Sequence, residues 1–148
     1  MDHDDAQSLA FGLLAAARAL VDGISAGLRA RGFADVRPAH GFAFARLVAG
    51  GATITELAGH LGVTRQAAAQ LVDELEASGY VERRPHPRDG RARLVTLTGK
   101  GWACTRAAEA AIADTIGAWE TALGEQGLLA LRNNLVTIAP RGPLRPAW

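Results

Sequence analysis

Between Val81 and Arg106 the sequence places Arg83, Arg84, Arg88, Arg91, Arg93, Lys100 and Arg106 against only two acids, Glu82 and Asp89. The whole chain carries a formal charge of only +1, so the remainder is acidic. One cationic segment on an acidic body is the footprint of a surface that meets a polyanion, although a solvated charged hairpin has the same composition. Just upstream, Thr64, Arg65, Gln66 and Gln70 fall in the first turns of a predicted helix. Arginine can bridge guanine O6 and N7, and glutamine can bridge adenine N6 and N7. A threonine hydroxyl and the first amides of a helix suit phosphate oxygens. The two groups together have the chemistry to read a DNA duplex.

Other chemistries find no support. His3, His40, His60 and His86 are scattered, and no pair has the i, i+4 spacing of helical metal ligands. Cys104 is the only cysteine, which excludes an intrachain disulfide and a cysteine-built zinc site. No glycine-rich phosphate loop, nucleophile elbow or zinc-protease motif is present, so neither catalysis nor a cofactor nor a metal is expected. With 148 residues, 49% hydrophobic and 21% charged, the chain has the size and balance of one globular domain. No uninterrupted apolar run reaches the ~18 residues of a membrane span. Asp2, Asp4 and Asp5 stand where a secretory signal carries cations, so a cytoplasmic protein without membrane contact is expected.

The elements that must position these residues follow from periodicity. Leu9, Leu13, Ala17, Leu20, Ile24 and Leu28 predict a helix over about 6–31, stopped by Gly32. Pro38 suits the first turn of a second helix that ends at Gly50-Gly51. Thr53-Ile54-Thr55-Glu56 is a capping box that opens a short helix, Ile54–His60. Gly62 turns the chain, Thr64 caps again, and a longer helix runs to about Ser78 before Gly79. Leu57, Leu61, Val63, Ala68 and Leu71 are expected to pack these two helices together. Tyr80–Arg84 and Arg91–Leu97 read as strands around the turn-rich Pro85–Gly90. Thr98 caps a long helix over about 99–123, Gly124 ends it, and Leu128, Leu131, Leu135 and Ile138 mark a last helix. The expected class is mostly α with a small β-hairpin.

A short helix, a glycine turn, a longer helix and a basic hairpin make a winged helix-turn-helix. Thr53–Gly101 resembles the winged helix of MarR-type transcriptional regulators, dimeric bacterial DNA-binding proteins. The residues that carry the resemblance are Leu75–Arg83, then Pro87-Arg88-Asp89-Gly90-Arg91-Ala92-Arg93, then Leu97-Thr98-Gly99-Lys100-Gly101. Arg37-Pro38-Ala39-His40 and Ala118-Trp119-Glu120 with Leu123-Gly124 are similar as well.

The resemblance implies one domain over 1–148. Within it, about 36–98 form the DNA-binding lobe, about 6–31 and 99–139 the N- and C-terminal dimerisation helices, and 140–148 a Pro-rich tail. It places Thr64, Arg65, Gln66 and Gln70 in the major groove, with Gln70 where many relatives carry arginine. It sends Arg91 into the minor groove, with Asp89 orienting that arginine, and makes Arg83, Arg84, Arg88 and Arg93 phosphate candidates. It also implies a homodimer on a near-palindromic operator, most often acting as a repressor. A small aromatic or anionic ligand would lie among Arg18, His40, Phe42, Phe44 and Trp102. Two other readings stay open: a winged helix used for protein–protein contact, and a thiol-based redox sensor built on Cys104.

Overall fold

The computed structural model describes residues 2–144. The elements run α1 (His3–Ala30), α2 (Pro38–Leu47), α3 (Ile54–Leu61), α4 (Arg65–Ala77), β1 (Val81–Pro85), β2 (Arg93–Leu97) and α5 (Gly99–Ile138). The two expected C-terminal helices are the two arms of α5, broken at Gly124, whose φ of 72° and ψ of 162° are non-helical. Of the Pro-rich tail, 145–148 lie outside the described residues.

The first helix begins earlier than its apolar spacing suggests. The Asp2 side chain accepts a hydrogen bond from the Asp5 amide at 2.8 Å, and Asp4 and Asp5 sit in the first turn. The acids at the start of the chain therefore cap α1 and offset the positive end of its dipole. The membrane expectation also needs correction. Arg18 and Asp22 interrupt the apolar run, yet an 18-residue window of α1 has a mean hydropathy of 1.5, long and apolar enough to cross a membrane. One such helix near an N-terminus is weak evidence for a span, because a helix that packs against protein passes the same test.

The chain divides into two compact units, one gathering residues up to Ala34 with Ala107–Ala139, the other Asp35–Arg106. In the first, glycines bring two helices close. A Cβ on Gly27 would lie 2.5 Å from the Ala111 Cβ, and one on Gly23 would lie 2.6 Å from the Thr115 hydroxyl. Arg31 spans the same contact, donating to Gly27 O at 3.0 Å and to Asp114 at 2.6 Å. Around Gly124, Ile116, Trp119, Leu128, Leu131, Leu135 and Val136 line an apolar cavity of about 410 Å³. Leu9, Phe11 and Leu14 of α1 and Leu123, Leu129 and Ile138 of α5 are exposed.

The second unit holds the helix-turn-helix and the hairpin. The capping box forms as expected: Thr53 N donates to Glu56 Oε2 at 2.8 Å, and Glu56 N donates to Thr53 Oγ1 at 3.2 Å. Gly62 takes the left-handed conformation at φ 69° and ends α3. Leu57, Ala58, Leu61, Ala68, Val72 and Leu75 are buried. Val63, expected among them, is 40% exposed, because the chain reverses at Gly62 and carries its side chain outward. The strands pair antiparallel with Val81 opposite Leu97 and Arg83 opposite Val95. Ala52 bridges the outer side of β2 by a single residue, exchanging both backbone hydrogen bonds with Val95 at 3.0 and 2.8 Å.

β1 is shifted by one residue from the expected Tyr80–Arg84, leaving Tyr80 outside it, and β2 begins two residues later than expected, leaving out Arg91 and Ala92. Tyr80 instead closes α4, its amide donating to Leu75 O at 2.9 Å. The carbonyl of Tyr80 faces Gly101, where any Cβ would collide with it and approach Leu97 Cδ2 at 3.0 Å. Gly101→Val is expected to lower stability by about 1–3 kcal/mol, the usual cost of overpacking against an immovable group. Urea unfolding of the two proteins side by side measures it; an unchanged midpoint contradicts this packing.

Candidate nucleic-acid interface

The polar face of α4 is built from its cap outward. Thr64 Oγ1 accepts from the Ala67 amide at 3.1 Å, so this hydroxyl fixes the helix start and still has a proton to donate. Ala68, Val72 and Leu75 turn inward. Gln66, Gln70 and Asp73, spaced i, i+4 and i+7, share the opposite, exposed face, and Arg65 is exposed at the first helical position. The glutamines sequence reasoning selected thus stand together on one open surface, with an acid at its far end.

The wing loop is organised by two side chains. His86 Nδ1 accepts from the amides of Arg88 and Asp89, both at 3.1 Å, and the His86 amide donates to Ala92 O at 3.2 Å. Asp89 Oδ1 accepts from the Arg91 amide at 3.0 Å. This differs from the expected orienting of the Arg91 side chain. Asp89 holds the backbone turn from which Arg91 projects, and among the described residues no ion pair joins the two. His86 was not among the expected site residues; its place between two prolines was the signal that could have flagged it.

The cations divide into tied and untied groups. Arg83 is bound by two acids of α4: its guanidinium donates to Asp73 Oδ1 at 2.5 Å and also to Glu76 Oε2. Its side chain is only 21% exposed, and the Asp73 hydrogen bond raises its pKa further. Arg84 is exposed and pairs with Glu82, its Nε at 2.7 Å from the carboxylate. Arg93 reaches the Arg83 carbonyl at 3.3 Å. Among the described residues, the guanidinium groups of Arg65, Arg88 and Arg91 make no ion pair. The partners Asp73 and Glu76 were not anticipated, though acids three apart on a helix one turn before an Arg-bearing strand were visible in the sequence.

The candidate ligand residues are divided between the two units. Arg18 belongs to the first unit and pairs with Asp22 at 3.0 Å, whereas His40, Phe42, Phe44 and Trp102 belong to the second. Phe44 is a core residue, 4% exposed, with its ring 5.7 Å from that of Tyr80. Its apolar ring does more by filling the core than by lining an open surface. Phe42 is half-buried and Trp102 is 41% exposed. His40 is buried and serves its own helix: Nδ1 accepts from the Arg37 amide at 3.1 Å, at the start of α2. Nε2 lies 3.6 Å from Glu74 of α4, which also pairs with the Arg37 guanidinium. Burial, with the Arg37 charge adding to it, pushes the His40 pKa below 6.5 despite Glu74.

Cys104 is fully buried, and burial pushes its thiol up to about 11, the opposite of a reactive thiolate site. Among the described residues no three of His, Cys, Asp and Glu converge as metal ligands would.

The arrangement is a winged helix-turn-helix: α3, the Gly62 turn, an open polar face on α4, and a hairpin whose tip carries untied arginines. Residues 28–92 match the model of the MarR family. Over 54 residues the chain is 43% identical to the transcriptional activatory protein BadR of Rhodopseudomonas palustris, covering 36% of this chain and 31% of that protein's length. It is similar in structure to the transcriptional repressor CouR bound to a 23-mer DNA duplex. The TM-score is 0.73 at 26% identity, over 93% of this chain and 96% of that one. A MarR family protein of Mycobacterium tuberculosis in complex with DNA matches with a TM-score of 0.69 at 25% identity, over 89% and 98% of the two chains.

The His40 geometry makes stability depend on pH. The folded state holds the imidazole neutral, so the unfolded state binds the extra proton and stability falls as pH drops below about 6.5. Above neutrality this contribution is fully present. His40→Gln should flatten the fall in melting temperature between pH 7 and pH 5 relative to the parent protein. Equal falls in both proteins contradict a His40 held neutral by burial.

Proposed function

We propose that this protein is a DNA-binding transcriptional regulator that acts in the cytoplasm as a homodimer, repressing from a near-palindromic operator under control of a small aromatic or anionic ligand. One observation carries the DNA-binding part: Arg65, Gln66 and Gln70 are open on α4, and in the wing Arg88 and Arg91 make no ion pair among the described residues. The DNA-bound states of CouR and of the M. tuberculosis protein support it.

In this reading α4 enters the major groove. Gln66 and Gln70 take base edges, Arg65 takes a base edge or phosphate, and the Thr64 hydroxyl donates to a phosphate. Arg91 enters the adjacent minor groove, where A·T-rich sequence concentrates negative potential, and Asp89 holds the turn beneath it. Arg84, Arg88 and Arg93 contact phosphates; Arg84 must first exchange Glu82 for the polyanion. In this reading the protein works by occupancy. Bound across a promoter it excludes polymerase, which is repression. BadR, similar over the shorter segment, is an activatory protein, so promoter-reporter assays decide the sign.

A single lobe reads one half-site, and a second copy related by two-fold symmetry doubles the contact. The exposed apolar side chains of α1 and of α5 support a homodimer that buries them. A ligand controls such a dimer only by binding its DNA-free and DNA-bound states unequally.

Arg91→Ala should weaken operator binding by about 1–3 kcal/mol and relax A·T preference at the half-site flank. Gln66→Ala should lower the ratio of specific to non-specific affinity, whereas Arg84→Ala should weaken all duplexes alike. Fluorescence anisotropy on duplexes selected from random DNA, repeated across salt concentrations, reads all three. Binding with no salt dependence, or an Arg91→Ala protein that binds like its parent, overturns the proposal. Sedimentation as a monomer at micromolar concentration overturns the dimer.

A further inference from the structure

Arg83 stands out among the wing cations because acids of another element hold it. Its backbone pairs within the hairpin, opposite Val95, while its guanidinium leaves the hairpin for α4. There it meets Asp73 at 2.5 Å through one terminal nitrogen and Glu76 through the other. The two carboxylates lie three residues apart on α4, one helical turn, so a single planar guanidinium satisfies both. Asp73 also shares the exposed face of Gln66 and Gln70. An uncompensated carboxylate there would oppose a phosphate backbone, and Arg83 neutralises it.

We propose that Arg83 is a positioning residue and not a phosphate contact: its clamp on Asp73 and Glu76 fixes the wing against α4 and masks the acids at the far end of the reading face. The register supports this. Arg83 is the middle of the five rungs of the hairpin, between the end joined to α4 and the loop, so a rotation there displaces Arg88 and Arg91 at the tip. Arg93 strengthens the same rung by donating to the Arg83 carbonyl at 3.3 Å. The consequence for DNA rests on the regulator reading above; the clamp itself does not.

The two roles for Arg83 give opposite results in one double variant, Asp73→Asn with Glu76→Gln. If Arg83 only positions, this variant loses the clamp and binds operator several-fold more weakly, although it carries two fewer negative charges. If Arg83 is a phosphate contact restrained by the acids, the same variant binds more tightly. The slope of log affinity against log salt then steepens by about 0.9, the value for one added phosphate contact. Arg83→Gln should also bind more weakly with its slope unchanged, whereas loss of a direct contact makes the slope shallower by about 0.9.

Hydrogen exchange of the 84–94 amides, without DNA, gives an independent readout. Faster exchange there in both variants, with the α3 amides unchanged, is the expected result. Unchanged wing exchange overturns the clamp, and tighter binding by the double variant overturns the positioning role. Should the parent protein bind no duplex at all, the regulator reading fails while the exchange measurement still decides the clamp.

Discussion

The winged lobe depends on where one buried phenol sits. Tyr80 donates from its hydroxyl to Asp35 at 2.6 Å, and its ring packs on Phe44. Its amide closes α4 on Leu75, its carbonyl takes the Thr98 amide at 3.0 Å, and Lys100 lies over the ring at 4.3 Å. One residue thus touches the segment before α2, α2 itself, the end of the reading helix and the start of α5. Burying a phenol is favourable only with its hydroxyl satisfied, and Asp35 satisfies it. The same bond holds the Asp35 carboxyl below its ordinary range, and burial raises the Tyr80 pKa. The absence of a side chain at Gly101 is a condition of this arrangement, because the Tyr80 carbonyl occupies that space.

Around this anchor the charges are sorted by what they face. Arg37 meets Glu74, Arg46 meets Glu56, and Arg83 meets Asp73 and Glu76, so α4 and the first turn of α3 hold their acids neutralised. Among the described residues, the cations without an acid partner include Arg65 at the first position of α4 and Arg88 and Arg91 at the tip of the hairpin. Exposed ion pairs contribute little to stability. Their larger effect here is on the field: a face rich in acids by composition presents cations and amides outward. Composition alone assigned seven cations to the basic segment, and pairing decides which of them a polyanion meets.

Histidine and cysteine show how burial changes a residue's role. His40 and Cys104 have the chemistry of ligand contacts and redox centres. Both are enclosed, with pKa values moved away from the charged form. His40 spends its acceptor nitrogen on a helix start, and Cys104 fills space. His86, more open, turns the same acceptor chemistry to shaping the loop that carries Arg91.

Much of this was written in local sequence. The capping box at Thr53–Glu56, the Gly62 turn, the Thr64 cap and the break at Gly124 are interactions within a few residues, so type and spacing suffice to place them. The open polar face of α4 followed from helical periodicity for the same reason. Non-local features were not legible. Asp73 and Glu76 find Arg83 only once a turn has folded β1 back against α4, and Tyr80 finds Asp35 across 45 positions. Phe44 and Phe42, two residues apart, look alike in sequence, yet one enters the core and the other does not. Spacing along the chain fixes what a residue can do for its neighbours in the helix or turn. Which arginine stays free, which aromatic is buried and which histidine can take a proton depend on contacts that the folded chain alone creates.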